Sequence, residues 1–138
     1  MPGIAVLFVL MPLSGAAQNE ERYKVRFSPV PIDIGMRSTV AGKGAATAVL
    51  KGSTLTVNGT FDGLLSPATI ARVHRGAAMG VRGSPVADLA VSKAPKGTIS
   101  GSINLAPDQV QGLNKGQLYI QLSSENAPDG NLWGWLVR

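Results

Sequence analysis

Ala68-Thr-Ile-Ala-Arg-Val-His-Arg-Gly76 is the stretch on which the reading of the fold turns. Residues 70–74 alternate in character, so a strand there puts Arg72 and His74 on one face and Ala71 and Val73 on the other. The same period of two recurs in Leu118-Tyr-Ile-Gln-Leu-Ser-Ser124. There Leu118, Ile120 and Leu122 make an apolar side, and Tyr119, Gln121 and Ser123 are expected to turn outward. It returns in Asp129-Gly-Asn-Leu-Trp-Gly-Trp-Leu136, where Trp133 and Trp135 share one parity and Leu132, Gly134 and Leu136 the other.

Working outward, the remaining segments read the same way. Tyr23-Lys-Val-Arg-Phe27 is a half-buried strand with Tyr23, Val25 and Phe27 on its apolar side. Residues 28–44 form a Pro- and Gly-rich loop, and 45–50 a second strand that turns at Lys51-Gly-Ser53 into a third over 54–61. Asn58-Gly59 within that third strand is a strong hairpin signal as a dipeptide. The alternation of Leu55, Val57, Gly59 and Phe61 nevertheless runs through it, which favours one continuous strand with an interior glycine at a bulge or close backbone approach. Asn58-Gly-Thr60 is also a formal glycosylation sequon. Residues 76–83 form a glycine-rich loop, 86–91 and 98–105 are strands, and 106–113 is a short helix with Pro107 at its first position and Asp108 in its first turn. Some eight short strands with regular turn signals imply an all-β fold, an antiparallel β-sandwich with one short helix.

The chain has 138 residues, enough for one domain, and its 44% hydrophobic content supports a core. Its 17 Gly and 9 Pro fit many turns. There is no Cys, which removes disulfides, thiolate nucleophiles and thiolate metal ligands together. Residues 1–17 read as a signal peptide: an apolar run over 4–10, then Ser14-Gly-Ala-Ala17 as the cleavage region, although Met-Pro-Gly before the run carries no Lys or Arg. The run falls short of the roughly 20 residues needed to span a membrane. The expected product is an extracytoplasmic domain, periplasmic or secreted, over residues 18–138.

The blocks quoted above resemble the two signature blocks of the CHRD domain, a module of chordin and of many small exported bacterial proteins. In that family the first block usually reads like Ala-Ala-His-Ile-His-Gly. The second reads like Tyr-Val-Asn-Val-His-Thr, followed by Pro-x-Gly-Glu-Ile-Arg-Gly-Gln-Leu. Here the three histidine positions hold Arg72, His74 and Ser123, and Trp133 and Trp135 stand where Arg and Gln are usual. The resemblance covers Tyr23 to the C-terminus and implies an immunoglobulin-like sandwich in an extracellular setting. It implies no settled biochemical activity.

Three chemistries can be weighed. If strands 70–74 and 118–123 are neighbours, residues at 72, 74 and 123 could converge as copper or zinc ligands, but only His74 retains that ability and Arg72 opposes a cation. A run similar to superoxide dismutases, Leu55-Thr-Val-Asn-Gly-Thr-Phe-Asp-Gly-Leu64, fails on the same ground, since His74 is the chain's one histidine. Hydrolysis lacks a Gly-x-Ser-x-Gly elbow, and the eight carboxylates form no motif. Binding has more support. Arg72, His74, Arg75 and Arg82 surround the 76–83 loop and suit an anion, while Trp133 and Trp135 offer a surface that stacks on sugars or meets a partner.

The net charge of +5 favours acidic partners only where it is clustered. Scarce aromatics argue against nucleic acid. The sequence therefore points to a non-catalytic binding or structural module that needs no cofactor, its ligand an anionic glycan or a protein at the cell surface. A metal-binding or redox-linked protein using His74 is the alternative.

Overall fold

The computed structural model describes residues 20–31 and 39–138. The expected signal peptide and its junction at Gln18 lie outside these residues, as does much of the 28–44 loop. Eight strands follow in order: β1 (Glu20–Pro29), β2 (Lys43–Lys51), β3 (Thr54–Asp62), β4 (Ala68–Arg75), β5 (Ser84–Val91), β6 (Gly97–Asn104), β7 (Leu118–Ser124) and β8 (Ala127–Trp135). One helix, α1 (Pro107–Asn114), lies between β6 and β7. It starts at Pro107 with Asp108 in the first turn, as expected, and Leu113 anchors it in the core.

The strands close into a barrel in the order β1-β2-β3-β6-β5-β4-β7-β8, all neighbours antiparallel. This corrects the expectation of a sandwich, which leaves its sheet edges open. Here both seams are sealed, though narrowly. Ser28↔Trp133 and Pro29↔Leu132 join β1 to β8, and Ala90↔Ser100 and Val91↔Ile99 join β5 to β6. The bridge Lys24↔Val137 adds to the first seam. The barrel thus consists of two four-stranded halves, β1-β2-β3-β6 and β5-β4-β7-β8, meeting along short edges. Along these short seams closure pairs backbone groups that a sandwich leaves exposed on its edge strands.

The core follows the alternation. Tyr23, Val25 and Phe27 of β1 are buried, and so are Leu55, Val57 and Phe61 of β3. Side chains therefore fill the interior, as they do in other barrels of eight strands. Lys24, Arg26, Thr56, Asn58 and Thr60 alternate with them outside and are exposed. Polar outside and apolar inside is the reverse of a barrel that faces lipid. No helix among the described residues is long and apolar enough to cross a membrane.

Asn58-Gly59 makes no turn. The β2 and β3 register runs without a break from Lys43↔Asp62 to Lys51↔Thr54 and pairs Ala46 with Gly59. A methyl group on Gly59 would sit 2.5 Å from the Ala46 Cβ and 2.6 Å from the Ala45 carbonyl oxygen. The glycine marks a close approach of two backbones rather than a bulge.

Antiparallel order also fixes the two ends of the barrel. The 76–83 loop and α1 lie at the end where β4 and β6 finish. The end of β1, the start of β2 and the turns after β3 and β5 lie at the other.

Candidate functional site

The two surfaces singled out in the sequence are one surface. Pairing of β4 with β7 and of β7 with β8 aligns His74, Tyr119 and Trp135 in one row across the sheet. Arg72, Gln121 and Trp133 form the next row, and Asp88 of β5 extends it. All of these positions face away from the barrel interior.

Tyr119 holds the face together. It is outside the barrel, as the alternation requires, yet only 1% exposed. His74 stacks on its ring at 5.0 Å between centroids and 15° between planes. Trp135 lies tilted against it at 4.4 Å, and Trp133 meets it edge-on at 5.6 Å. The two indoles are themselves 5.5 Å apart in a T-shaped contact. Such pairs add roughly 0.5–1.5 kcal/mol beyond the area they bury. Trp133 and Trp135 remain half-exposed, and Val30, Val40 and Ala127 back Trp133. The expectation that Tyr119 turns outward thus holds for direction and fails for exposure. The overlooked signal was that Tyr119 and the two tryptophans, quoted on separate strands, all have outward parity.

The 76–83 loop folds back over this cluster. The Gly83 N–H donates to the Tyr119 hydroxyl at 2.9 Å, and the Gly83 carbonyl lies 3.1 Å from His74 Nδ1. A carbonyl only accepts, so His74 carries its proton on Nδ1 when neutral. A Cβ on Gly83 would fall 1.8 Å from the Arg75 carbonyl oxygen, which explains glycine at the clamp. Arg82 leans from the loop over the Trp133 ring at 5.7 Å and donates to Gln121 Oε1 (3.3 Å) and the Asp129 carbonyl (3.1 Å).

The arginines do not act as a group. Arg72 is paired with Asp88 at 2.8 Å. Arg75 points to the barrel end, where it meets Asp108 of α1 at 3.2 Å and Gln117 Oε1 at 3.2 Å. Only Arg82 brings a cation to the aromatic face without a carboxylate partner among the described residues. The expected anion site around the loop is thus mostly neutralised from within.

Burial lowers the His74 pKa below the ordinary value of 6.5, and the Arg72 and Arg82 charges push it the same way, against the hydrogen bond to Gly83. A histidine of depressed pKa resists a proton that the unfolded chain accepts. Its contribution to stability is therefore complete above 6.5 and is lost as the pH falls towards the lowered folded value. Urea unfolding across that window is expected to show stability declining with acid, and His74→Gln is expected to flatten that part of the profile.

Strands β4 and β7 are neighbours, but their register separates the three family positions. Ser123 pairs with Ile70 and is nearly buried, whereas His74 pairs with Tyr119. Position 123 is thus two rows from His74, roughly 14 Å along the strands. That is too far for side chains at both positions to hold one ion. Among the described residues no group of three or more His, Asp or Glu is placed to bind a metal. A second unforeseen feature lies nearby: buried Asn131 donates to Ser124 Oγ at 3.0 Å and accepts from the Ala41 N–H at 3.2 Å.

No curated protein and no solved structure matches this chain. A family model does, over residues 13–136, and it covers the barrel, the helix and the whole aromatic face. The chain belongs to the CHRD domain family.

Proposed function

We propose that the protein is a non-catalytic binding module acting outside the cytoplasm, and that the outer face of β4, β7 and β8 recognises a saccharide. The observation that carries this reading is the pair of half-exposed indoles, Trp133 and Trp135, held at fixed angles by a buried Tyr119. Sugar rings present C–H faces that stack on such surfaces, and a preorganised platform loses little entropy on binding. Arg82 at the rim, together with Gln121, supplies donors for ring hydroxyls or a carboxylate.

His74 supports this reading over catalysis. Among the described residues it is hydrogen-bonded to a backbone carbonyl and stacked on an aromatic ring, with no hydrogen bond to a serine hydroxyl or a carboxylate. General-base work on a nucleophile needs hydrogen-bond reach to that nucleophile.

The test is titration of neutral and uronic-acid oligosaccharides against intrinsic tryptophan fluorescence. Binding is expected to fall at least about tenfold in Trp133→Ala and in Trp135→Ala, as for aromatic anchors generally. Arg82→Gln is expected to weaken the acidic ligands alone. Unchanged binding in both tryptophan variants refutes the reading. Copper and zinc titration of wild type and His74→Ala is expected to show no stoichiometric site that depends on His74.

A further inference from the structure

Among the described residues, four cations without an ion pair (Lys24, Arg26, Lys43 and Lys96) gather on the other half of the barrel. Three rows cross its outer face, read from β1 to β6. They are Arg26, Ala45, Thr60 and Thr98; then Lys24, Thr47, Asn58 and Ser100; then Arg22, Val49, Thr56 and Ser102. Each row begins with a positive charge and ends in hydroxyl groups, and the rows repeat at about 6.8 Å.

The rows differ in what is already satisfied. Arg22 is paired with Glu20, and Thr56 bonds Ser102 at 3.1 Å. Among the described residues, Lys24 and Arg26 have no ion pair, and the side chains of Asn58, Thr60 and Ser100 have no hydrogen bond. These open groups coincide with two depressions. One, of about 900 Å³, is lined by Arg26, Lys43, Lys96 and Asp62, by Thr60 and Thr98, and by Phe27 and Phe61. The other, of about 510 Å³, continues from Thr60 and Thr98 to Asn58 and Ser100. Lys43 and Lys96 are likewise without an ion pair among the described residues. The outward-facing Ala45, short between Arg26 and Thr60, leaves room in the row they share.

We infer that this groove binds a linear anionic polysaccharide, its carboxylate or sulfate groups meeting Lys24, Arg26, Lys43 and Lys96 and its hydroxyls meeting Asn58, Thr60 and Ser100. The inference goes beyond the saccharide face proposed above and does not rest on it. Charge complementarity selects the occupant. Among the described residues, six cations (Arg22, Lys24, Arg26, Lys43, Lys51 and Lys96) share this outer face with two carboxylates of the same parity, Glu20 and Asp62. Two of the arginines on the other half are neutralised by Asp88 and Asp108.

The repeat of charge and hydroxyl suits a polymer with a short chemical repeat. A lipid surface fits poorly, because the exposed large apolar residues Leu65, Ile70, Met79, Val81 and Val137 all lie off β1, β2, β3 and β6. Nucleic acid fits poorly too, because Phe27 and Phe61, although they line the larger depression, are only 2% and 3% exposed, and Tyr23 only 2%, which leaves no ring face for bases to stack on.

The experiment measures binding of the purified chain to heparin, alginate, dextran, phosphatidylglycerol vesicles and single-stranded DNA. Heparin or alginate is expected to bind and dextran not, with affinity falling as salt rises. The exposed quadruple variant Lys24→Gln/Arg26→Gln/Lys43→Gln/Lys96→Gln is expected to lose at least about tenfold in affinity while melting like wild type. Thr60→Val/Thr98→Val is expected to weaken binding with the charge unchanged. Lys93→Gln/Lys115→Gln, which removes charge elsewhere, is expected to bind as wild type.

Failure of both polysaccharides to bind overturns the inference, as does full retention in the quadruple or the threonine variant. Vesicle or DNA binding as tight as that to either polysaccharide also overturns it, showing general polyanion attraction. Loss of polysaccharide binding on Trp133→Ala assigns the ligand to the aromatic face and overturns the groove while leaving the face standing.

Discussion

Tyr119→Ala is expected to destabilise the domain by about 3–5 kcal/mol, the cost of removing a buried aromatic from a core, although Tyr119 stands outside the barrel. The reason is that β4, β7, β8 and the folded-back 76–83 loop enclose a small second core. Its ring is covered on three sides by His74, Trp133 and Trp135, and its hydroxyl accepts the Gly83 N–H at 2.9 Å. Deleting the ring leaves a cavity and frees three neighbours at once. Tyr119→Phe keeps the packing and loses that hydrogen bond, and is expected to cost only about 1 kcal/mol. Urea unfolding followed by tryptophan fluorescence measures both. The near-ultraviolet circular dichroism of Tyr119→Ala is expected to weaken, because Trp133 and Trp135 lose their fixed geometry. A cost for Tyr119→Ala as small as that for Tyr119→Phe refutes the second core.

Gly59→Ala is expected to cost about 1–3 kcal/mol, the usual penalty of overpacking an interior. The added methyl points inward beside Val57 and Phe61, and it meets Ala46 on β2 through backbone and Cβ atoms that cannot move aside alone. Asn58→Ala, one residue earlier but facing out, is expected to change stability by less than about 0.5 kcal/mol. A hairpin at Asn58-Gly59 predicts the opposite ranking for Asn58, since a turn of that kind needs a residue that tolerates positive φ. Ala46→Gly is expected to restore part of the loss in a double-substitution cycle, as two groups in contact couple.

The aromatic face shows how far parity alone reaches. Arg72 and His74 on one side of β4, and Trp133 and Trp135 on one side of β8, were legible because alternation in a strand is strict. Their union was not legible, because it requires β7 between them in a particular register. Tyr119 was misjudged for the same reason. Its direction is local, but its burial depends on indoles from β8 and a loop from beyond β4. The arginines carry the converse lesson. Four residues within a short stretch suggested one anion site, yet Arg75 follows the opposite parity to Arg72 and turns to α1. The Asp88 that neutralises Arg72 sits on the next strand, sixteen residues away.

The groove was hidden in plain composition. A net charge of +5 reveals nothing until it is distributed. The alternation of β1 already placed Lys24 and Arg26 outward, but only the β1-β2-β3-β6 order lays them in rows with the hydroxyls of β3 and β6.

Local chemistry therefore decided the strands, the helix at Pro107 and the side of each strand that faces the core, since a period of two needs no knowledge of neighbours. Tertiary pairing decided closure into a barrel, the stagger of Ser123 from His74, and the gathering of His74, Tyr119, Trp133 and Trp135 on one face. A sandwich and a closed barrel ask for the same alternation. What separates them here is two short seams, Ser28↔Trp133 with Pro29↔Leu132 between residues far apart in the chain, and Ala90↔Ser100 with Val91↔Ile99 at the turn between β5 and β6, and alternation alone records neither.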